Sequence, residues 1–379
     1  MKILHVYRDE YDPNTATLNR FLAFIKGFSE IGITTNVYFL RPNQKKEKVN
    51  AVYPNVTFHY LWENKKFNTN KYVKYGQQIL WVLSSLMKRK KNDNIILFGS
   101  NEFLFLFSLF RNLNIYYEVT EHPGLWMAGK SLHVKLMFRL YYYSIKKIKG
   151  IFVISSPLKE FYIGKGVSAS VIHTVNMIVD TSRFENLKKG VSIDRYIAYC
   201  GSIVNKKDGV DDLIEAFNIV SQRIGDIKLL LMGIYNYKAD EEKNINLINK
   251  YSLQDRIIHT GEVSVLEMPQ LLKNASALVL ARPDNLQAKN GFPTKLGEYL
   301  LTSNPVVVTR VGDISLFLKD GESAYIAEPD NIEDIAEKIY LALTDECASL
   351  IGKKGLEVAK EHFNYFKEAQ KIYKAIYNH

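Results

Sequence analysis

Residues 290–313, NGFPTKLGEYLLTSNPVVVTRVGD, set a turn, a short helix and a buried strand around one carboxylate. Gly291, Phe292 and Pro293 read as a sharp entry that leaves backbone N–H groups free at a helix start, where an anion is favoured. Thr294, Lys295 and Glu298 share one helix face by their three- and four-residue spacing, while Leu296 and Leu300 point elsewhere. A carboxylate at Glu298 can accept two hydroxyls of a ribose. The plainer alternative is a surface Lys295–Glu298 pair, worth a few tenths of a kcal/mol.

A second anion-type segment is CGSIVNKKDGVDDLIEAF, residues 200–217. Gly201 and Ser202 end a strand, and Gly201 allows close backbone approach. Lys206 and Lys207 can reach a diphosphate over the helix that opens at Gly209-Val210-Asp211. An ordinary solvated turn would look the same. YEVTEHPG, residues 117–124, puts His122 at a strand end, where it can donate to a phosphate or sugar oxygen; a lone histidine is more often structural. GLWMAGKS, residues 124–131, fits the G-x-x-x-x-G-K-[S/T] phosphate loop between a strand and a helix. Pro123 stiffens its entry, and the later strand IFVISS lacks the terminal Asp that would hold Mg²⁺. The chain has no Asp-x-Asp, His-Glu-x-x-His, Gly-x-Ser-x-Gly or Gly-x-Gly-x-x-Gly. That argues against metal-held sugar nucleotides, zinc hydrolysis, serine esterases and simple dinucleotide binding. No metal is expected.

The elements that must position these residues alternate. KILHVYR, TTNVYFL, NVTFHYL, NIILFG, NIYYEVTEH, GIFVISS and ASVIHTV read as strands, interleaved with helical runs such as 71–90 and 131–149. Periodicity lapses over 176–195, which reads as a linker. It then restarts with YIAYCGS, IKLLLMG, RIIHTG, SALVLAR, PVVVT and SAYIAEP, and 331–379 reads as mostly helical. Strands alternating with helices predict parallel sheets covered on both faces, in two α/β domains. Ligands of such sheets sit beyond the carboxyl ends of the strands.

The 379 residues suit two domains, and 47% hydrophobic against 24% charged residues predicts a folded chain. Two cysteines without metal or disulfide spacing fit a reducing compartment. MKILHVYRDE is too short an apolar run for a signal peptide, and FLFLFSLF cannot span a bilayer, so a cytoplasmic protein, soluble or peripheral at the membrane's inner face, is expected. The net charge of +10 divides into +15 over residues 1–190 and −5 over the remainder. The basic half suggests an anionic partner, with a membrane surface, a phosphorylated substrate and nucleic acid as candidates, or simply a lysine-rich solvated surface. LMKRKK and KLMFRLYYYSIKKIKG mix cations with apolar and aromatic residues as interfacial helices do; a buried helix with a lysine-rich end is the alternative for the second.

Taken in order, IVDTSRF, CGSIVNKKDGVDDLIEAF, IIHTGEV, LLKNASALVLARP and NGFPTKLGEYLLTSNPVVVTRVGD resemble the retaining glycosyltransferases of the GT-B type, family 4. The resemblance implies two Rossmann-like domains facing across a cleft: residues 1–180 for the acceptor and 190–361 for a nucleotide-activated sugar. A last helix, 362–379, would cross back to the first domain. It implies that Glu298 holds the ribose, that residues 291–294 hold the donor sugar and phosphates, and that Lys207 or Lys206 meets the diphosphate. His122 would lie near the reacting sugar, and Ile258 and its neighbours by the base. The sequence departs from the family at three places. Asn290 stands where a first glutamate often touches the donor sugar, Ser202 where an arginine often follows the glycine, and Asn14 and Thr15 where a Gly-Gly is usual.

The resemblance implies metal-independent transfer with retention, from a nucleotide-sugar to a saccharide or lipid-linked saccharide, in surface polysaccharide or glycoconjugate synthesis. Lys206, Lys207 and the 291–294 amides would carry the charge growing on the leaving diphosphate. The rivals are a Mg²⁺-ATP phosphotransferase using 124–131, an inactive nucleotide-sugar-binding relative, and a nucleic-acid binder. The last is disfavoured because no basic–aromatic stripe is present.

Overall fold

The computed structural model describes residues 3–11, 16–41, 48–61, 71–99, 103–125, 132–190 and 195–377. Asn14, Thr15 and residues 126–131 of the phosphate-loop match lie outside them. The chain divides into two units, one of residues 1–176 with 365–379 and one of residues 177–364.

The first unit runs β1 (Ile3–Glu10), α1 (Ala16–Glu30), β2 (Thr34–Arg41), β3 (Val56–Tyr60), α2 (Lys71–Met87), β4 (Asn94–Phe98), α3 (Leu104–Ser108), β5 (Asn114–Val119), α4 (Leu132–Ile145), β6 (Gly150–Val153), α5 (Ser156–Gly164) and β7 (Ile172–Thr174). Its seven strands are all parallel, in the order β3-β2-β1-β4-β5-β6-β7. Runs such as NIILF and GIFV are buried along nearly their whole length because helices cover both faces.

The second unit runs β8 (Arg195–Cys200), α6 (Asn205–Asp208), α7 (Val210–Arg223), β9 (Ile227–Met232), α8 (Lys238–Lys250), β10 (Ile257–Gly261), α9 (Met268–Asn274), β11 (Ala277–Leu280), α10 (Leu286–Asn290), α11 (Thr294–Leu301), β12 (Val306–Thr309), α12 (Ile314–Phe317), β13 (Tyr325–Ala327), α13 (Ile332–Thr344) and α14 (Ala348–His362). Its six parallel strands follow the order β10-β9-β8-β11-β12-β13. Helix α7 shows why the pattern was readable: Val210, Leu213, Ile214, Phe217 and Val220 form one buried stripe.

The last helix, α15 (Tyr365–Tyr377), belongs to the first unit and packs on α1. Gly27 makes that packing possible, since a Cβ there would lie 2.5 Å from the Ala369 Cβ. Glu368, buried on the same helix, accepts the Asn176 amide at 2.9 Å. Among the described residues no helix is long and apolar enough to cross a membrane.

Both sheets reverse their strand order once, between β1 and β4 in the first unit and between β8 and β11 in the second. Such switch points open a crevice beyond the strand ends, where ligands of doubly wound sheets bind.

Candidate functional site

The second unit's switch point lies at the ends of β8 and β11. Gly201 follows β8 with φ +142°, and a Cβ there would come within 2.4 Å of the Lys295 Nζ. Glycine is therefore what lets Lys295 pass beneath the loop. The backbone of β8 is fixed from the side by Tyr299, whose hydroxyl accepts the Cys200 amide at 2.7 Å. Burial pushes the Cys200 thiol up to about 12, so it stays protonated and no nucleophile arises there.

The lysine loop folds as one turn of helix, α6, which the sequence reading missed. Gly209, at φ +64°, separates it from α7, and a Cβ there would lie 1.8 Å from the Ala281 carbonyl oxygen. The β11–α10 segment pins the loop: Arg282 Nε donates to the Lys207 carbonyl at 3.2 Å and Asn285 Nδ2 to the Lys206 carbonyl at 2.6 Å. Lys206 is exposed and Lys207 half-buried.

Beneath this loop lies a buried charge cluster. Lys295 Nζ is 2.7 Å from Asp208 Oδ2 and 2.7 Å from the Tyr199 hydroxyl, while Arg282 Nε faces Asp208 Oδ1 at 3.7 Å. Burial lowers the Lys295 ammonium from its ordinary range, with Asp208 opposing. Burial raises Asp208, but Lys295 and Arg282 outweigh it and hold the carboxyl below its ordinary value. Lys207 acts on both groups, so three cations surround one carboxylate. The excess positive charge suits a diphosphate.

Glu298 lies one turn along α11 from Lys295. It does not pair with Lys295; Arg183 Nη1 donates to its Oε1 at 2.5 Å. The surface pair offered as the plainer alternative thus does not form, because Asp208 draws Lys295 inward and Arg183 claims Glu298. Burial pushes the Glu298 carboxyl up and Arg183 pulls it back. Arg183 Nη2 is buried without a hydrogen-bond partner, a donor left over beside the Glu298 carboxylate.

Arg183 comes from the stretch read as a linker. That reading is corrected: residues from Met177 onward are built into the second unit. Val179 bridges to Asn364, and Met177 and Val179 pack on Gly297, where a Cβ would meet their side chains at 2.3 and 2.6 Å. The Asp180 carboxylate then accepts the Ser182 amide and starts the turn that carries Arg183. The apolar spacing is irregular because the segment is held by backbone bridging and one close approach, which leave no periodic signature.

The 290–294 entry also differs in detail. The Gly291 amide is not free; it donates to the Gln287 carbonyl at 2.9 Å, because α10 continues up to Asn290. Phe292 points into an aromatic cluster, 5.6 Å from Phe317 and 5.3 Å from Phe363, and so anchors the loop. Pro293 precedes α11 and Thr294 begins it, and no side chain caps the helix start. The Asn290 side chain donates to the Leu286 carbonyl at 2.9 Å. Ser202 is exposed, and its carbonyl accepts from the Tyr199 hydroxyl at 2.8 Å.

Gly201, Lys207 and Glu298 thus share the β8–α11 end of one sheet with four residues the reading did not place in the site: Lys295, Arg282, Asp208 and Arg183. The need they meet, charge balance under a loop, has no sequence spacing to betray it. Ile258 lies apart, on edge strand β10 beyond β9. His122 belongs to the first unit. Its Nδ1 accepts the Gly124 amide at 3.0 Å and its ring packs edge-on against Phe161. Burial, then Lys165, lower it, so it is neutral with Nε2 carrying the proton. Among the described residues no cluster of His, Cys, Asp or Glu could hold a metal ion.

Two parallel, switch-point sheets with a cationic loop and a clamped carboxylate define a GT-B type of fold. HepE of Anabaena, solved with UDP-glucose, superposes with a TM-score of 0.76 at 14% identity over 99% of this chain and 100% of that one. The profile of the family described as "Glycosyl transferases group 1" matches residues 182–371, just over half the chain. The protein belongs to that family. It is 22% identical to the N-acetyl-alpha-D-glucosaminyl L-malate synthase of Bacillus anthracis over 87% of this chain and 86% of that one. It is 26% identical to the trehalose synthase of Thermococcus litoralis over 174 residues, 43% of this chain and 39% of that enzyme's length.

Proposed function

We propose that the protein is a retaining, metal-independent glycosyltransferase that moves a sugar from a nucleotide-sugar to a saccharide or lipid-linked saccharide. The observation that carries this is the pairing, on one helix, of a clamped carboxylate with a buried ammonium. Glu298, oriented by Arg183, accepts the ribose hydroxyls. Lys295, with Lys207 above it, faces the diphosphate as negative charge grows on it. Fixed protein cations then do what a bound metal does in other sugar transferases. His122, neutral with its Nε2 proton outward, donates to a sugar oxygen. The first unit, residues 1–176 with 365–379, serves the acceptor, and the second, residues 177–364, the donor.

A membrane-borne acceptor, at the inner face of the membrane, accords with the basic first half and with exposed apolar side chains. Leu132, Leu136 and Tyr143 on α4, and Tyr72, Leu80 and Met87 on α2, stand out among lysines. Surface polysaccharide or glycoconjugate synthesis is the setting such an acceptor implies.

The test is a thermal-shift panel of UDP, GDP, ADP and ATP, each with Mg²⁺ and with EDTA. Ligand at about 100 times its Kd adds roughly 2.7 kcal/mol. A shift by UDP or GDP that survives EDTA and disappears in Glu298→Ala and Lys295→Met is expected. A shift only with Mg²⁺-ATP, removed by Lys130→Ala, overturns the reading.

A further inference from the structure

Helix α8, KADEEKNINLINK, packs beside the lysine loop of the second unit with almost nothing apolar. Among its residues, all of them described, Asn244 alone is buried. It is 0% exposed, at a position where a leucine would remove more apolar surface from water. A buried amide is costly unless both its oxygen and its nitrogen are bonded. An amide kept there gives direction rather than burial.

Its partner is a second buried amide. Asn205, the first residue of α6, donates from Nδ2 to Asn244 Oδ1 at 2.9 Å, and Asn244 Nδ2 donates to Asn205 Oδ1 at 3.0 Å. The backbone of Asn205 is held as well. Its amide donates to Asp240 Oδ2, one turn earlier on α8, at 3.2 Å, and its carbonyl accepts the Gly209 amide at 2.8 Å. The Tyr235 hydroxyl, from the β9–α8 connection, hydrogen-bonds with Asn244 too. The same connection is tied to the end of β8, where the Ile203 amide donates to the Ile234 carbonyl at 2.8 Å. Asn205 is therefore fixed through four polar groups, and Lys206 and Lys207 are the next two residues of the chain.

A helix of four residues does not hold its own shape, because nucleation costs more than a single turn of hydrogen bonds returns. The geometry of α6 is imposed from outside. Arg282 and Asn285 hold the Lys207 and Lys206 carbonyls from the β11–α10 segment, and Asn244 and Asp240 hold Asn205 from α8. Apolar side chains at 205 and 244 could fill the same space but would leave the turn free to slide. A reciprocal amide pair is satisfied in one register only.

We propose that Asn244 is a positioning residue for the lysine loop. Its pair with Asn205 sets where Lys206 and Lys207 project, and so how strongly a nucleoside diphosphate is held relative to the monophosphate of the same nucleoside. This rests on the donor reading above. Asn244 acts through Asn205 and is not itself a ligand.

The experiment is calorimetric titration of the full chain with UDP and UMP, and with GDP and GMP. The variants are Asn244→Ala and the double variant Asn205→Ala/Asn244→Ala, which leaves no amide without its partner. Asn246→Ala makes the same change on the exposed face of α8 and is the control. Wild type and control are expected to hold the diphosphate of one base about tenfold or more tighter than its monophosphate. In both Asn244 variants that preference is expected to fall about tenfold, with monophosphate affinity within about twofold of wild type. Near-ultraviolet circular dichroism checks the fold of each variant. A merely structural role would lower the melting temperature and leave the preference as it was. An unchanged preference in a folded Asn244 variant overturns this inference alone, as does a wild type that binds mono- and diphosphate alike. A wild type that binds none of the four nucleotides overturns the donor reading and this inference with it.

Discussion

Replacing Arg183 with Met tests how the second unit's site is held together. The substitution keeps an apolar stem but removes the guanidinium that lies 2.5 Å from Glu298. A hydrogen bond to a charged group contributes about 1.5–3 kcal/mol. If that contact orients the carboxylate for a ribose, nucleotide affinity should fall by about one to two orders of magnitude. Protonation sharpens the test. Burial already raises the Glu298 carboxyl, and Arg183 is its chief opponent. Without Arg183 the carboxyl rises further, and only the ionised form accepts two hydroxyls. The variant's affinity should therefore climb as pH rises through that higher pKa, while the wild type varies less over the same range. Stability should drop by about 1–3 kcal/mol, less than for a fully buried pair, because both side chains keep about a fifth of their exposure. The assay is calorimetric titration with the responding nucleoside diphosphate at pH 6, 7 and 8, with Arg183→Lys as the charge-keeping control. Affinity within twofold of wild type at every pH, or an equal loss at every pH, refutes the reasoning.

Two further outcomes concern the frame around the sites. Gly209→Ala must hold a side chain at φ +64° and 1.8 Å from the Ala281 oxygen, so it should lose about 2–5 kcal/mol and melt several degrees lower. Gly32→Ala, at φ +84° with open space around it, should lose only about 1 kcal/mol and serves as the control. His5 is buried on the central strand β1, and burial, with Arg89 adding to it, lowers its pKa to about 4. A histidine depressed in the folded state gives stability that is present above its unfolded value of 6.5 and is lost as pH falls toward 4. Urea denaturation should show a loss of about 3 kcal/mol across that window, and His5→Gln should flatten it.

The fold was legible where burial is periodic. Strands such as NIILF and VVVT are nearly continuous apolar runs because helices cover both faces, and that composition is enough to predict parallel sheets. The short elements escaped. Helices α6 and α10 have four and five residues, too few for a helical period, and only the hydrogen bond from Gly291 to Gln287 shows that α10 reaches the turn. That bond occupies the Gly291 amide, which the turn alone would leave free.

The sites divide along the same line. The sequence by itself determined that residues near Glu298 and the Lys206–Lys207 loop stand at strand-to-helix junctions, because glycine, proline and charge at the end of an apolar run mark such junctions. Which partner each charge takes was decided only in three dimensions. Lys295 sits three residues from Glu298, yet it pairs with Asp208, 87 positions away, and Glu298 pairs with Arg183, 115 positions away. Arg20 likewise meets Glu118 across 98 positions. Local spacing fixes the face on which a side chain begins. The low-dielectric interior then selects, from all charges the fold brings near, the pair that loses least by leaving water.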